Sequence, residues 1–76
     1  MIEKFETFLK TTNYSENTKI SYLFAIQQYN EQYEEVTQEK LKSYKVWLIE
    51  NFKPQTVNLR IRAINCYLEC INKNDW

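Results

Sequence analysis

The chain has 76 residues, enough for one domain with one modest hydrophobic core. Hydrophobic residues make up 43% of it and aromatic residues 16%, a composition that favours a packed interior over disorder. Ten basic and ten acidic residues give a formal net charge of zero, which excludes the general excess of positive charge that strong nucleic-acid binding uses. Gly is absent and Pro occurs once. Because the tight turns of β structure depend on Gly, helices joined by polar loops are favoured.

Two helices are predicted in the first half of the chain from the spacing of apolar residues. The first covers residues 2–11, and Ser15 is a good N-cap for the second, which covers residues 16–32. The second helix is expected to bury one main stripe, formed by Thr18, Tyr22, Ala25, Ile26, Tyr29 and Tyr33. Ile20 and Phe24 project from another side, so we expect neighbouring elements to contact this helix on two faces.

Two more helices are predicted in the second half. Val36 and Thr37 are typical of a hydrophobic staple and N-cap for a helix over residues 38–50, and Pro54 marks the start of a helix over residues 54–72. The third helix should bury Leu41, Tyr44, Trp47 and Leu48. The fourth has the clearest stripe, formed by Val57, Ile61, Ile64, Leu68 and Ile71. The sequence therefore predicts a single all-α domain of four helices.

The residues of common catalytic and metal sites are missing. Without His there is no standard triad, histidine base or histidine ligand, and without Gly there is no phosphate-cradling loop. Cys66 and Cys70 are spaced i, i+4 and are expected to be reduced and partly buried. No signal peptide or long apolar span is recognisable, so the cytoplasm is the default compartment. We expect a non-catalytic domain without cofactor, metal, membrane or small-molecule substrate.

Two polar patches contain residue types that bind nucleic acids. The last helix projects four polar side chains within about 80° of one another at about 100° per residue, namely Gln55, Asn58, Arg62 and Asn65. Arg60 leaves this helix on the far side of the apolar stripe. The start of the second helix gathers Ser15, Asn17, Thr18, Lys19 and Ser21 near backbone amides that attract phosphate. On spacing alone, a plain solvated helix face and ordinary capping are the simpler interpretations of these two patches.

Four short motifs follow one another along the chain. The first helix contains Phe5-x-x-Phe8-Leu9, and the second contains the pattern S-x-x-T-x-x-x-Y-x-x-x-I-x-x-Y, from Ser15 to Tyr29. Val36-Thr37 precedes the third helix, with Leu41, Tyr44 and Leu48 within it, and residues 56–64 of the fourth read T-V-N-L-R-I-R-A-I. In this order the motifs cover nearly the whole chain and resemble the N-terminal core-binding (SAM-like) domain of phage integrases, the tyrosine recombinases.

The resemblance implies a compact four-helix orthogonal bundle that closes over one side of a recombination site in double-stranded DNA. Helices two and four would face the major groove. The resemblance implies DNA contacts by Asn17, Thr18, Lys19, Ser21, Thr56, Asn58 and Arg60, and helical geometry adds Gln55 and Arg62. The family's catalytic Arg, His and Tyr would belong to a separate domain of the same parent protein. The parent recombinase would assemble as a tetramer on DNA. None of the six tyrosines here is expected to be the nucleophile.

Two departures from the family pattern weaken the expected electrostatic attraction to DNA. Leu59 and Asn65 stand where the family often has a basic residue. An alternative hypothesis is therefore a helical protein-interaction module without DNA binding, in which Trp76, Phe52 or Phe24 forms an exposed apolar contact.

Overall fold

Four helices make up the regular structure of the computed structural model, which describes residues 2–73 and Trp76. They are α1 (Ile2–Lys10), α2 (Glu16–Gln32), α3 (Gln38–Asn51) and α4 (Pro54–Cys70). No strand occurs among the described residues. The all-α prediction is confirmed, and the four predicted helices agree with the observed bounds to within two residues.

The helix starts follow from local hydrogen bonding. Ser15 Oγ accepts a hydrogen bond from the Thr18 amide at 3.2 Å, and Thr37 Oγ1 accepts one from the Lys40 amide at 3.1 Å. Each bond satisfies an amide that has no partner within its own helix. Pro54 occupies the first turn of α4, where the missing N–H is harmless. The predicted caps of α2 and α3 and the predicted start of α4 are confirmed.

The end of α4 comes two residues before the predicted end, because Asn72 adopts a left-handed backbone conformation with φ 60°. The Lys73 amide donates to the Leu68 carbonyl at 2.7 Å, and the Asn72 amide donates to the Glu69 carbonyl at 3.2 Å. These two bonds form a Schellman motif, in which Gly usually takes the left-handed position. In a chain without Gly, Asn fills that position because it tolerates this backbone conformation better than most residues.

The core combines one apolar stripe from each helix. Its buried members are Phe5, Leu9, Tyr22, Ala25, Ile26, Tyr29, Leu41, Tyr44, Leu48, Val57, Ala63, Ile64, Cys66, Tyr67 and Leu68. The most extensive contact is between α2 and α4, and each of them contributes a fully buried alanine, Ala25 and Ala63. Small side chains let two helices approach closely, so this pair forms the centre of the domain.

The expectation that Ile20 and Phe24 are covered by neighbouring elements is wrong. Their side chains are 63% and 54% exposed. At about 100° per residue, both residues lie roughly 160° from the centre of the buried stripe of α2. The other helices pack on the stripe and its flanks, so none is left to cover this outer face. The domain therefore presents apolar side chains to solvent beside α4.

Buried tyrosines join the helices through both their rings and their hydroxyl groups. The Tyr29 hydroxyl donates to the Glu35 carbonyl at 2.7 Å, and the Tyr44 hydroxyl donates to Gln28 Oε1 at 2.9 Å. The two rings meet edge to face with centroids 5.2 Å apart. Among the described residues, no buried side-chain nitrogen or oxygen lacks a hydrogen-bond partner. Tyrosines are therefore structural members of this core, as their positions in the predicted stripes indicate.

The Ser15→Ala variant should lower the free energy of unfolding by about 1 kcal/mol, because it removes the side-chain cap of α2. Urea unfolding measures the effect. Ser43→Ala is the matched control, since Ser43 is an exposed residue within α3 and Ala is the better helix former there. Equal stability of the two variants would contradict the capping role of Ser15.

The free energy of unfolding should fall above about pH 10, the usual pKa of tyrosine. Burial raises the pKa of Tyr29 to about 12 and also raises the pKa values of Tyr44 and Tyr67. The folded state therefore keeps protons that the unfolded state has already released. This stabilisation is complete below pH 10 and is lost as the pH rises through the folded-state pKa values.

Urea unfolding at about pH 8 and at about pH 11 measures this loss. In Tyr29→Phe the loss should be smaller, because one raised pKa is gone. A free energy of unfolding that is unchanged between the two pH values would contradict the assignment.

Candidate nucleic-acid interface

The outer face of α4 is polar over its whole length. Gln55, Asn58, Arg62 and Asn65 are exposed on this face, as the helical spacing predicts, and Glu69 continues it toward the end of the helix. Within α4, all of whose residues are described, Arg62 is the one exposed cation. The face therefore offers amide groups flanking one guanidinium group, with a carboxylate at its end.

At the start of α2, some polar side chains cap the helix and others lie at the surface. Ser15 Oγ donates to Thr18 Oγ1 at 3.0 Å and also accepts from the Thr18 amide, so both hydroxyl groups serve the helix cap. Asn17 is exposed and Ser21 is half-buried. Asn17 and Ser21, spaced i, i+4, share the flank of α2 that faces α4.

Lys19 lies apart from this polar flank. At about 100° per residue it is roughly 160° around α2 from Asn17, and its side chain lines a depression together with Lys10 and Leu23. Its Nζ is 3.4 Å from Glu16 Oε1. The structure therefore places this predicted site residue on the side of α2 that faces α1, away from Ser21.

Arg60 is half-buried and joins three helices. Its guanidinium donates to Gln28 Oε1 and lies 4.9 Å from the ring centroid of Phe24 and 5.5 Å from that of Phe52. The oxygen that accepts from Arg60 also accepts from the Tyr44 hydroxyl. A cation held against aromatic faces and a neutral amide oxygen stabilises the packing of α4 on α2 and α3. Arg60 is thus directed inward, unlike Arg62.

A shallow groove of about 270 Å³ runs between α2 and α4. Ile20, Ser21 and Phe24 line one side, and Leu59 and Arg60 line the other. Leu59 is 36% exposed, so the groove presents apolar surface from both helices. The sequence interpretation missed this groove because it expected Ile20 and Phe24 to be covered. Their angular distance from the main stripe was the signal that could have revealed it.

The nine predicted site residues differ in exposure and in location. Those exposed on α4 or at the start of α2 are Asn17, Gln55, Asn58 and Arg62. The half-buried ones are Thr18, Lys19, Ser21, Thr56 and Arg60. Of these, Ser21 and Arg60 line the groove between α2 and α4, Thr18 belongs to the cap and Lys19 lies toward α1. The structure thus brings Ser21 and Arg60 together in the groove between α2 and α4, whereas Lys19 lies toward α1 and Asn58 lies toward α3.

A second depression, of about 370 Å³, lies between α3 and α4. It is lined mainly by apolar residues, namely Ile49, Phe52, Pro54, Val57, Asn58 and Ile61. Beside it, the outer side of α3 exposes 66% of Ile49 and 53% of Val46. This surface is apolar and lies on the opposite edge of α4 from the groove with α2.

The two cysteines are free thiols, Cys66 buried and Cys70 half-buried. Burial raises the pKa of both thiols, which disfavours the reactive thiolate form. Within the part of the chain that the structure describes, no group of three or more acidic or cysteine side chains could hold a metal ion. No helix among residues 2–73 is both long enough and apolar enough to span a bilayer.

Four helices around one core, with a polar outer face on α4, define a SAM-like helical domain. The chain belongs to the family of phage integrase N-terminal SAM-like domains, which it matches over residues 1–76. This domain is a non-catalytic part of integrases. No significant match was found among curated proteins or among solved structures.

Replacing the two arginines of α4 by Ala should affect stability very differently. Arg60→Ala should lower the free energy of unfolding by about 2 kcal/mol, because it removes the Gln28 hydrogen bond and two aromatic contacts. Arg62→Ala, the charge-matched control, should change it by less than about 0.5 kcal/mol, because Arg62 is exposed. Urea unfolding of both variants measures the difference. Equal losses would contradict the inward role of Arg60.

Proposed function

We propose that this domain binds double-stranded DNA and closes over one side of a recombination site, as part of a tyrosine recombinase acting in DNA integration and recombination. The observation that carries the proposal is the membership of residues 1–76 in the integrase SAM-like family. The exposed polar side chains on the outer face of α4 support it, because they are of the types that such a task needs.

The outer face of α4 is suited to the major groove. This groove is about 12 Å wide and admits one α-helix with its side chains. In that position Arg62 would bind a guanine edge or a phosphate, and Gln55 and Asn58 would bind adenine edges. All three side chains are exposed in the free domain, so DNA binding requires no rearrangement of the core.

The start of α2 is suited to the DNA backbone. Asn17, Thr18 and Ser21 lie near amides whose partial positive charge favours phosphate oxygens. Lys19, on the flank toward α1, would reach phosphates at the edge of the contact. Thr56 and Arg60 would act from beneath the surface, Arg60 by holding α4 in register with α2. Phosphate contacts of this kind position the domain, whereas α4 reads the bases.

The absence of a net positive charge implies that the domain works together with other parts of the recombinase. With zero net charge and one exposed cation on α4, the isolated domain should bind DNA weakly and largely without sequence preference. The catalytic domain of the same parent protein would hold the other side of the duplex. Linking two weak contacts raises the overall affinity through effective concentration, and a tetramer of recombinases on DNA would raise it further.

Fluorescence anisotropy with a labelled duplex tests this proposal. With about four phosphate contacts, affinity should fall roughly a hundredfold between about 50 and 200 mM salt. Arg62→Ala should weaken binding by about tenfold, while Lys19→Ala should weaken it less. Lys42→Ala is the charge-matched control, because Lys42 is an exposed cation on α3 and should have little effect. In NMR spectra, the amide signals of α2 and α4 should shift on titration with DNA.

Two outcomes would contradict DNA binding by this surface. One is the absence of binding at low salt, and the other is a set of amide shifts confined to α1 and α3. The second candidate function, a protein-interaction module, is favoured by the exposure of Val46 and Ile49 beside an apolar depression. It would show as self-association in sedimentation experiments that persists at high salt and is lost in Ile49→Ala.

A further inference from the structure

The groove between α2 and α4 contains exposed apolar surface that polar DNA contacts leave unexplained. Ile20 is 63% exposed, Phe24 54% and Leu59 36%. These side chains come from two different helices and line one groove of about 270 Å³. A surface this apolar at the centre of a polar face indicates a partner that is itself apolar at matching positions.

Polar groups border the groove on both sides. On α2, Asn17 precedes Ile20 by three residues, and Ser21 lines the groove itself. On α4, Gln55 and Arg62 lie four residues before and three residues after Leu59, which makes them its neighbours on the helix surface. On α4 the apolar strip is therefore continuous with the proposed DNA contact, whereas on α2 it is bordered by Glu16, which lines a depression with Ile20, and by Glu31, which lines one with Phe24.

Arg60 holds Phe24 in place and adds positive charge to the groove. Its guanidinium lies over the rings of both Phe24 and Phe52 and is hydrogen-bonded to Gln28. Phe24 is therefore presented on a fixed support even though half of its surface is exposed. A cation directly beneath an apolar strip favours an occupant that combines negative charge with apolar groups.

We propose that this groove binds the C5-methyl groups of thymine in the major groove of DNA, an inference that rests on the proposed function. Among the four ordinary bases, thymine alone presents a methyl group there, and apolar side chains are its usual contacts. The phosphates of the same duplex supply the negative charge that matches Arg60 and Arg62. The groove would thus add a contact to the thymine methyl group itself, beside the contacts to adenine edges proposed for Gln55 and Asn58.

The size of the groove argues against a second copy of the chain as its occupant. Stable protein–protein interfaces bury about 1,200–2,000 Å² in total. Three partly exposed side chains around a groove of about 270 Å³ provide far less apolar surface than such an interface uses. Single methyl groups on a duplex are small enough to fit between α2 and α4.

The test compares binding of the domain to alternating poly(dA-dT) and poly(dA-dU) duplexes at low salt, which differ only in the thymine methyl groups. Affinity should be about fourfold higher for the dT duplex for each methyl group buried. Ile20→Ala should reduce this ratio toward one, while Ile49→Ala, an equally exposed isoleucine on α3, should leave it unchanged. Comparing the two variants on both duplexes isolates the contact between Ile20 and the methyl group from general differences between the duplexes.

A second comparison uses poly(dG-dC) and its counterpart with 5-methylcytosine, which carries the methyl group on the other pyrimidine. The methylated duplex should again bind more tightly. Both isoleucine variants keep the core intact, because these side chains lie outside it, and circular dichroism checks their folding.

The outcomes separate this inference from the function on which it rests. Salt-dependent binding that is equal for the dT and dU duplexes would overturn the methyl contact and leave the DNA-binding proposal standing. Absence of binding to every duplex would overturn both. An Ile20→Ala effect on self-association of the domain, with no effect on the dT to dU ratio, would assign the groove to a second copy and overturn the inference.

Discussion

The arrangement of this domain depends on how α4 is fixed against α2 and α3, and the contacts of Arg60 do this. Its guanidinium shares Gln28 Oε1 with the Tyr44 hydroxyl and lies against Phe24 and Phe52. The Arg60 side chain thereby connects Gln28 and Phe24 on α2 with Tyr44 on α3 and with Phe52, which follows α3. A domain of 76 residues buries too little apolar surface to be very stable, so a few such contacts have a large share in holding the helices in register.

The same contacts decide what the surface looks like. Because Arg60 is used inside, the outer face of α4 has one guanidinium, that of Arg62, among amide side chains. Because Phe24 packs on Arg60 and not under another helix, its ring and the neighbouring Ile20 remain open to solvent. The result is an apolar groove next to a polar helix face, and under the proposed function these surfaces would contact methyl groups, base edges and phosphates.

The modest charge of the outer face of α4 agrees with the proposed role of the domain as one half of a clamp on DNA. A DNA-binding protein that acts alone gains much of its affinity from phosphate neutralisation, and its sequence usually shows an excess of Lys and Arg. This chain has no such excess of Lys and Arg over acidic residues. The domain family to which it belongs is a non-catalytic part of integrases. In such a protein the helical domain can contribute position and sequence preference while the remaining parts supply affinity.

Much of this fold can be predicted from the sequence because it depends on interactions between residues close together in the chain. The spacing of apolar residues predicts all four helices, the hydroxyl groups of Ser15 and Thr37 mark two helix starts, and Pro54 marks a third. The resemblance to the integrase family can also be recognised from the sequence, because it depends on motifs that occur in a fixed order along the chain. The four polar residues of α4 fall on one face because helical periodicity requires it.

Only the tertiary structure decides which surfaces are covered. Periodicity places Ile20 and Phe24 on a second face of α2 but cannot tell whether another helix lies there, and none does. Spacing places Arg60 on the far side of the apolar stripe from Arg62 but cannot tell whether it faces solvent, whereas the packing of α2 and α3 turns Arg60 inward and leaves Arg62 exposed. The sequence by itself thus determined the helices and their faces, through short-range interactions. Which faces meet, and so which residues remain exposed at the surface, depends on contacts between residues far apart in the chain.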